Sequence, residues 1–173
     1  MIAPAHALTL LADQLEPGER VLYAVRPDLR VTLRNKMFLL WIGVPWCVGV
    51  LGLFFAGRAS PLIAVPLAMV GIAMVAAPII MAIDAQYTVY AITDRRALIV
   101  RNGLRPAVVS CLFEWMDAAP EIMTAGGNGG HLYFASDMST KLRDVDYTGK
   151  LAFRDLADVR TAAEQLAAAR KGG

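Results

Sequence analysis

Two long stretches without a charged side chain dominate the pattern of apolar and polar positions. Met37 to Ala56 reads MFLLWIGVPWCVGVLGLFFA, and Ser60 to Ile83 reads SPLIAVPLAMVGIAMVAAPIIMAI. Between them lies Gly57-Arg58-Ala59-Ser60, whose Arg58 is the only charge from Met37 to Ile83. Twenty helical residues rise about 30 Å, the thickness of a bilayer's hydrocarbon core. The pattern therefore predicts a transmembrane helical hairpin over residues 37–83, with spans 37–56 and 60–83. Pro61 suits the first turn of the second helix, where its missing N–H costs little. Pro45, Pro66 and Pro78 fall inside the spans, as membrane helices tolerate. The first span follows a structured-looking segment and is followed at once by a second, which favours a retained anchor over a cleaved signal.

Outside the hairpin the period shortens. Residues 1–36 hold an amphipathic stretch, His6 to Leu15, with Leu8, Leu11 and Leu15 on one side, broken at Glu16-Pro17-Gly18. Val21–Val25 then suits a strand. After the second span, Gln86–Ile92, Ala97–Arg101, Ala107–Leu112, Glu121–Ala125 and His131–Ala135 read as short strands. Thr93-Asp94-Arg95-Arg96, Asn102-Gly103 and the run Gly126–Gly130 read as turns, with Asn-Gly the strongest hairpin signal. Residues 136–146 read as a loop and Asp146–Phe153 as a last extended stretch. Asp155 is placed to cap a closing helix whose stripe is Leu156, Val159, Ala163, Leu166 and Ala167. The expected class is α+β: a small antiparallel barrel or pair of sheets over residues 84–171, closed by a C-terminal helix. A lone strand is not stable, so Val21–Val25 should join that domain and make the hairpin an insertion.

Composition sharpens this picture. Of 173 residues, 57% are hydrophobic and 18% charged, against about 25% charged in an ordinary soluble domain. The apolar excess sits in residues 37–83. That excludes a secreted disulfide scaffold, a disordered tail and a wholly soluble enzyme. The net charge is +2, and residues 84–173 carry eleven basic and eleven acidic groups. No broad basic face for nucleic acid follows from such a balance. Cys47 and Cys111 form no CxxC pair, so they read as small core residues.

Charge also gives an orientation. Arg20, Arg26, Arg30, Arg34 and Lys36 precede the first span, and Arg95, Arg96 and Arg101 follow the second. Against Arg58 alone in the link, this bias places both ends in the cytoplasm. Arg26, Arg30, Arg34, Lys36, Arg95 and Arg96 form a candidate collar with two readings. One is a topology signal with snorkelling side chains. The other is contact with anionic head groups, worth about 1 kcal/mol for each cation near the surface.

Candidate chemistry is sparse. The spans lack acids, lysine, histidine and asparagine, which transport paths and proton relays use. Gly126–Gly130 lacks the Lys and Ser/Thr of a phosphate loop. His6 and His131 have no ligand set at metal spacing, and Asp137, Asp144 and Asp146 lack a calcium-loop pattern. Ser110 and Cys111 lack a nucleophile context. Phe113 and Trp115 read as core or interface aromatics. No catalytic set, metal or cofactor is expected.

Leu15-Glu16-Pro17-Gly18-Glu19 with Val21-Leu22, the two-span hairpin, Tyr90-Ala91-Ile92-Thr93-Asp94-Arg95-Arg96-Ala97-Leu98-Ile99 and Phe153-Arg154-Asp155-Leu156-Ala157-Asp158-Val159 together resemble membrane-anchored bacterial pleckstrin-homology-like domain proteins. The resemblance implies a small antiparallel barrel, or two orthogonal sheets, capped by a C-terminal helix. It also implies binding of lipid head groups or protein surfaces. Thr93 and Asp94 then belong to a motif turn, bonding local amides. The function expected is a non-enzymatic binding module at the cytoplasmic face, with the bilayer, a protein partner or a second copy as partners. The alternative is a structural subunit that packs through its hairpin.

Overall fold

The computed structural model describes residues 11–103, 106–124, 127–139 and 145–172. The chain divides into two compact units: Met1–Val31 with Asp84–Gly173, and Thr32–Ile83. Strand β1 (Val21–Val25) precedes helices α1 (Leu29–Phe55) and α2 (Pro61–Gln86). Strands β2 (Thr88–Thr93), β3 (Arg96–Arg101), β4 (Ala107–Leu112), β5 (Glu121–Thr124), β6 (Gly130–Ala135) and β7 (Leu151–Leu156) follow, and α3 (Val159–Gly172) comes last.

The strand before the hairpin pairs with the strand after it. β1 runs antiparallel to β2, with Val25 opposite Tyr90 and Val21 opposite Thr93. A four-stranded sheet has the order β1-β2-β3-β4, and a three-stranded one the order β5-β6-β7. Among the described residues no pairing joins the sheets, so the architecture is two antiparallel sheets and not a closed barrel.

Between the sheets lies the larger core. Sheet one contributes Tyr90, Ile92, Ile99, Val109 and Cys111; sheet two contributes Leu132, Phe134, Leu151 and Phe153. Phe153 lies at its centre, stacked on Tyr90 at 4.9 Å and edge-on to Phe134 at 4.7 Å. Val159, Ala162, Leu166 and Ala169 of α3 join this core. Ala167, expected on the stripe, is exposed. The outer face of sheet one carries a second core, where Leu11 covers Ala24, Val89, Ala91, Leu98 and Val100. Both faces of β2 are covered, so all its residues are buried. Leu8 of the amphipathic stretch lies outside the described residues.

Three local expectations are corrected. First, the cap of α3 is Asp158, whose carboxylate accepts from the amides of Arg160 and Thr161, both at 3.1 Å. Asp155 is still in β7, at a positive φ of 53°. Second, neither Asn102 nor Gly103 has positive φ, so no two-residue hairpin forms there. Register pairs Arg101 with Ala107 and makes the connection longer. Gly103 is needed for another reason: a Cβ there would overlap the Asp84 carboxylate. Third, β7 begins only at Leu151, because Asp146 Oδ1 collects the amides of Thr148 and Lys150 and folds that segment into a turn. The turn between β5 and β6 includes Gly127 at φ 65°; Gly126 lies outside the described residues.

The Thr32–Ile83 unit is a hairpin of two helices that are long and apolar enough to cross a membrane. Helix α1 begins eight residues before the charge-free stretch, capped by Asp28, whose Oδ1 accepts from the amides of Arg30 and Val31. It ends at Gly57, which takes φ 70° while Arg58 N–H donates to Leu53 O and Gly57 N–H to Phe54 O. That pair of bonds closes a helix C-terminus around a left-handed glycine. Contact between the helices runs through small residues: a Cβ on Gly71 would lie 2.5 Å from Cys47 Sγ, and one on Gly43 3.0 Å from Met74 Cβ. Ala64, Gly71, Pro78 and Ala82 are the buried positions of α2 in this unit. Trp46 Nε1 donates to Leu67 O at 2.8 Å, which ties the two helices. Gly49 and Gly52 have nothing within 4 Å of a Cβ position among the described residues.

Candidate functional site

The motif turn between β2 and β3 closes on the loop before β1. Glu19 is the centre, with a side chain wholly shielded from solvent. Arg96 grips it with two bonds, Nε to Oε1 at 2.9 Å and Nη2 to Oε2 at 2.7 Å. Such forked guanidinium–carboxylate pairs are the strong, geometrically specific kind. Thr93 Oγ1 donates to Glu19 Oε1 at 2.8 Å, and the Glu16 amide donates to Oε2 at 2.8 Å. The bond from Arg96 holds the Glu19 carboxyl at a pKa of about 2, well below its ordinary 4.5, against the opposing effect of burial. Its partner, the Arg96 guanidinium, is pushed up by the same bond.

Thr93 also organises its own turn, accepting from the amides of Arg95 at 3.2 Å and Arg96 at 3.0 Å. Asp94 does not bond within the turn. Its Oδ1 accepts from the Arg20 amide at 3.1 Å, and its own amide donates to Arg20 O. Thus Thr93, Asp94 and Arg96 clasp the segment Glu16–Arg20. Arg96 is further paired with Glu16 at 3.2 Å, and the half-exposed Arg95 lies 3.6 Å from Glu16.

Of the collar cations, Arg26 and the pair Arg95 and Arg96 do not lie at one level. The β1–β2 register puts Thr93, and with it Arg95 and Arg96, beside Val21, whereas Arg26 follows Val25 at the other end of the pair. A six-residue strand such as β2 spans roughly 17 Å at ~3.3 Å per residue. Arg30 and Arg34 are exposed, one helical turn apart on α1, and Lys36 is half-buried further along it. Arg26 keeps Nε and Nη2 buried with no hydrogen-bond partner among the described residues. At the Arg26 end, Arg101, opposite Thr88, pairs with Asp84 at 3.1 Å.

Reading the sequence alone missed Glu19, Glu16 and Asp84. Each lay in a quoted segment or at the end of a span, yet its partner is far along the chain. His131 accepts the Asp155 amide at Nδ1, 3.0 Å away, and so serves the strand pair β6–β7. Among the described residues no group of three His, Cys, Asp or Glu is placed to hold a metal ion. Phe113 packs on the core while Trp115 is 58% exposed. Comparison with protein-family models, curated proteins and solved structures finds no match for this chain.

Proposed function

We propose that this chain is a non-enzymatic binding module of the pleckstrin-homology-like kind, anchored by its hairpin in a bacterial inner membrane with both termini cytoplasmic. There it recruits a protein or contacts lipid head groups. The observation that carries this reading is the position of the hairpin. It is inserted between β1 and β2, two strands that pair antiparallel with each other. Both chain connections to the hairpin therefore start from one strand pair, so the anchor and the binding unit are tethered at two points of one sheet. Four strands, then three, then a packed C-terminal helix also agree with the resemblance.

Arg96 is committed to Glu16 and Glu19, which leaves the lipid contact to Arg26, Arg30, Arg34, Lys36 and the half-exposed Arg95. Reporter fusions at residue 58 and after residue 173 test the anchor; a periplasmic signal from the C-terminus overturns it. Fluorescence distances to vesicles with and without phosphatidylglycerol test the lipid contact. A separation that ignores both lipid charge and salt leaves protein recruitment as the role. The second reading, a structural subunit packing through the hairpin, draws on Gly49 and Gly52, whose side of α1 has open space. Membrane partners that stay bound through purification in mild detergent would support that reading.

A further inference from the structure

The two sheets have four edges, and three are blunted in ways that prevent strand addition. β1 is interrupted by a register shift between Val21 and Tyr23. β7 carries Arg154 and Asp155, and Val145 bridges to its Leu151. β5 has four residues and opens on Glu121, which Lys150 holds in an ion pair. β4 differs from all of them. Its six residues, AVVSCL, contain no charge, proline or glycine and pair with β3 without a register shift. Among the described residues no strand pairs with its outer edge. Val108 is 47% exposed, Ser110 is exposed and Leu112 half-buried, while Val109 and Cys111 face the core.

We propose that β4 is a homodimer edge, pairing antiparallel with β4 of a second copy of this chain about a twofold axis at Ser110. Parity limits the axis to a residue of β4, and Ser110 is the one that also pairs like with like on the outer face, where an axis at Val109 or Cys111 sets Ser110 against Val108 or Leu112. Side chains alternate faces along a strand, so core-facing Val109 and Cys111 must lie opposite core-facing residues of the other copy. Centring on Ser110 does this: Val109 meets Cys111, exposed Val108 meets Leu112, and the Ser110 hydroxyls meet each other. At a twofold interface, residues on the axis meet their own copies, so a charge there would be repelled. β4 has none, unlike β5 and β7, and a second copy is the occupant that an uncharged, self-complementary edge selects. The joined strands would make one continuous eight-stranded sheet from two four-stranded ones.

Cysteine cross-linking in membranes holding the full chain tests the register. The background is Cys47→Ala with Cys111 retained, because burial pushes that thiol up to about 11 and keeps it protonated. Ser110→Cys should give a disulfide-linked dimer severalfold above the background and above Tyr147→Cys, at a 94% exposed site elsewhere on the unit. Val108→Cys alone should not cross-link, whereas Val108→Cys with Leu112→Cys should. Sedimentation of the detergent-purified chain with its native cysteines is the second measurement. The parent should show twice the protein mass of Ser110→Lys, which sets two ammonium groups on the axis. A monomeric parent, a dimeric Ser110→Lys, or Ser110→Cys linking no better than Tyr147→Cys overturns the proposal and leaves the edge to a strand of another protein.

Discussion

The hairpin and the sheet-and-helix unit are built inside out relative to one another. In the hairpin the large apolar side chains point outward: Trp41, Phe55 and Leu62 are 75%, 81% and 85% exposed. Its interior is lined by Gly43, Ala64 and Gly71, where backbones approach. In the other unit Phe134, Phe153 and Leu132 are fully buried. The difference matches what two kinds of solvent would demand. Where apolar surface must leave water, burial of side-chain volume is the main driving force. Where the surroundings are themselves apolar, helices associate by close packing and hydrogen bonds. The Trp46–Leu67 bond and the Gly71 contact are the features that the second setting calls for.

The largest predicted effect comes from removing volume in the water-facing unit. Phe153→Ala should cost about 3–5 kcal/mol and lower the melting temperature of that unit in calorimetry. Trp41→Ala removes more atoms from the hairpin but should change stability by less than about 0.5 kcal/mol, as for an exposed site. Equal losses would erase the comparison.

Next comes the clasp. Glu19→Ala leaves a largely buried Arg96 with weaker partners and should cost about 3 kcal/mol. The same carboxylate sets an acid limit. Its folded pKa of about 2 lies below the ordinary 4.5, so its stabilisation is complete above pH 4.5 and is lost as pH falls toward 2. Melting temperatures measured from pH 6 to 2.5 should fall more steeply for the parent than for Glu19→Ala. Parallel curves would show that Glu19 does not set the limit.

A smaller effect tests the close packing of the hairpin. Gly71→Leu forces atoms onto Cys47 and Trp46 and should cost about 1–3 kcal/mol, read as lost helicity on heating in detergent. Gly49→Leu, in open space, should leave that curve unchanged. The smallest effect is at the helix cap. Asp158→Ala should cost about 1 kcal/mol, while Asp155→Asn should leave the N-terminus of α3 intact by amide exchange.

Much of the architecture was legible locally. A charge-free run marks a possible span because hydrocarbon penalises every charge. Alternation marks strands, and glycine-rich segments mark turns. The C-terminal helix was legible too, although its cap was not. Asp155 and Asp158 both precede an apolar helical stripe, and only the path of β7 through Leu156 decides between them. The Asn102-Gly103 pair carries a hairpin signal, yet its glycine answers to Asp84, which arrives from the end of α2.

By itself, the sequence determined what each segment is: two apolar helices, short strands, a final amphipathic helix and a polar motif turn. These rest on interactions within a few residues, so composition and period reveal them. Tertiary structure alone decided which segments meet. Glu19 and Arg96 are 77 residues apart with the hairpin between them, and no local period encodes their pairing. The same holds for the glycines of α1, alike in sequence: Gly43 is pressed against α2 while Gly49 and Gly52 are not. The cover that Leu11 lays over β2 belongs with them. Each depends on where a distant part of the chain comes to rest, and that is set by the packing of whole elements.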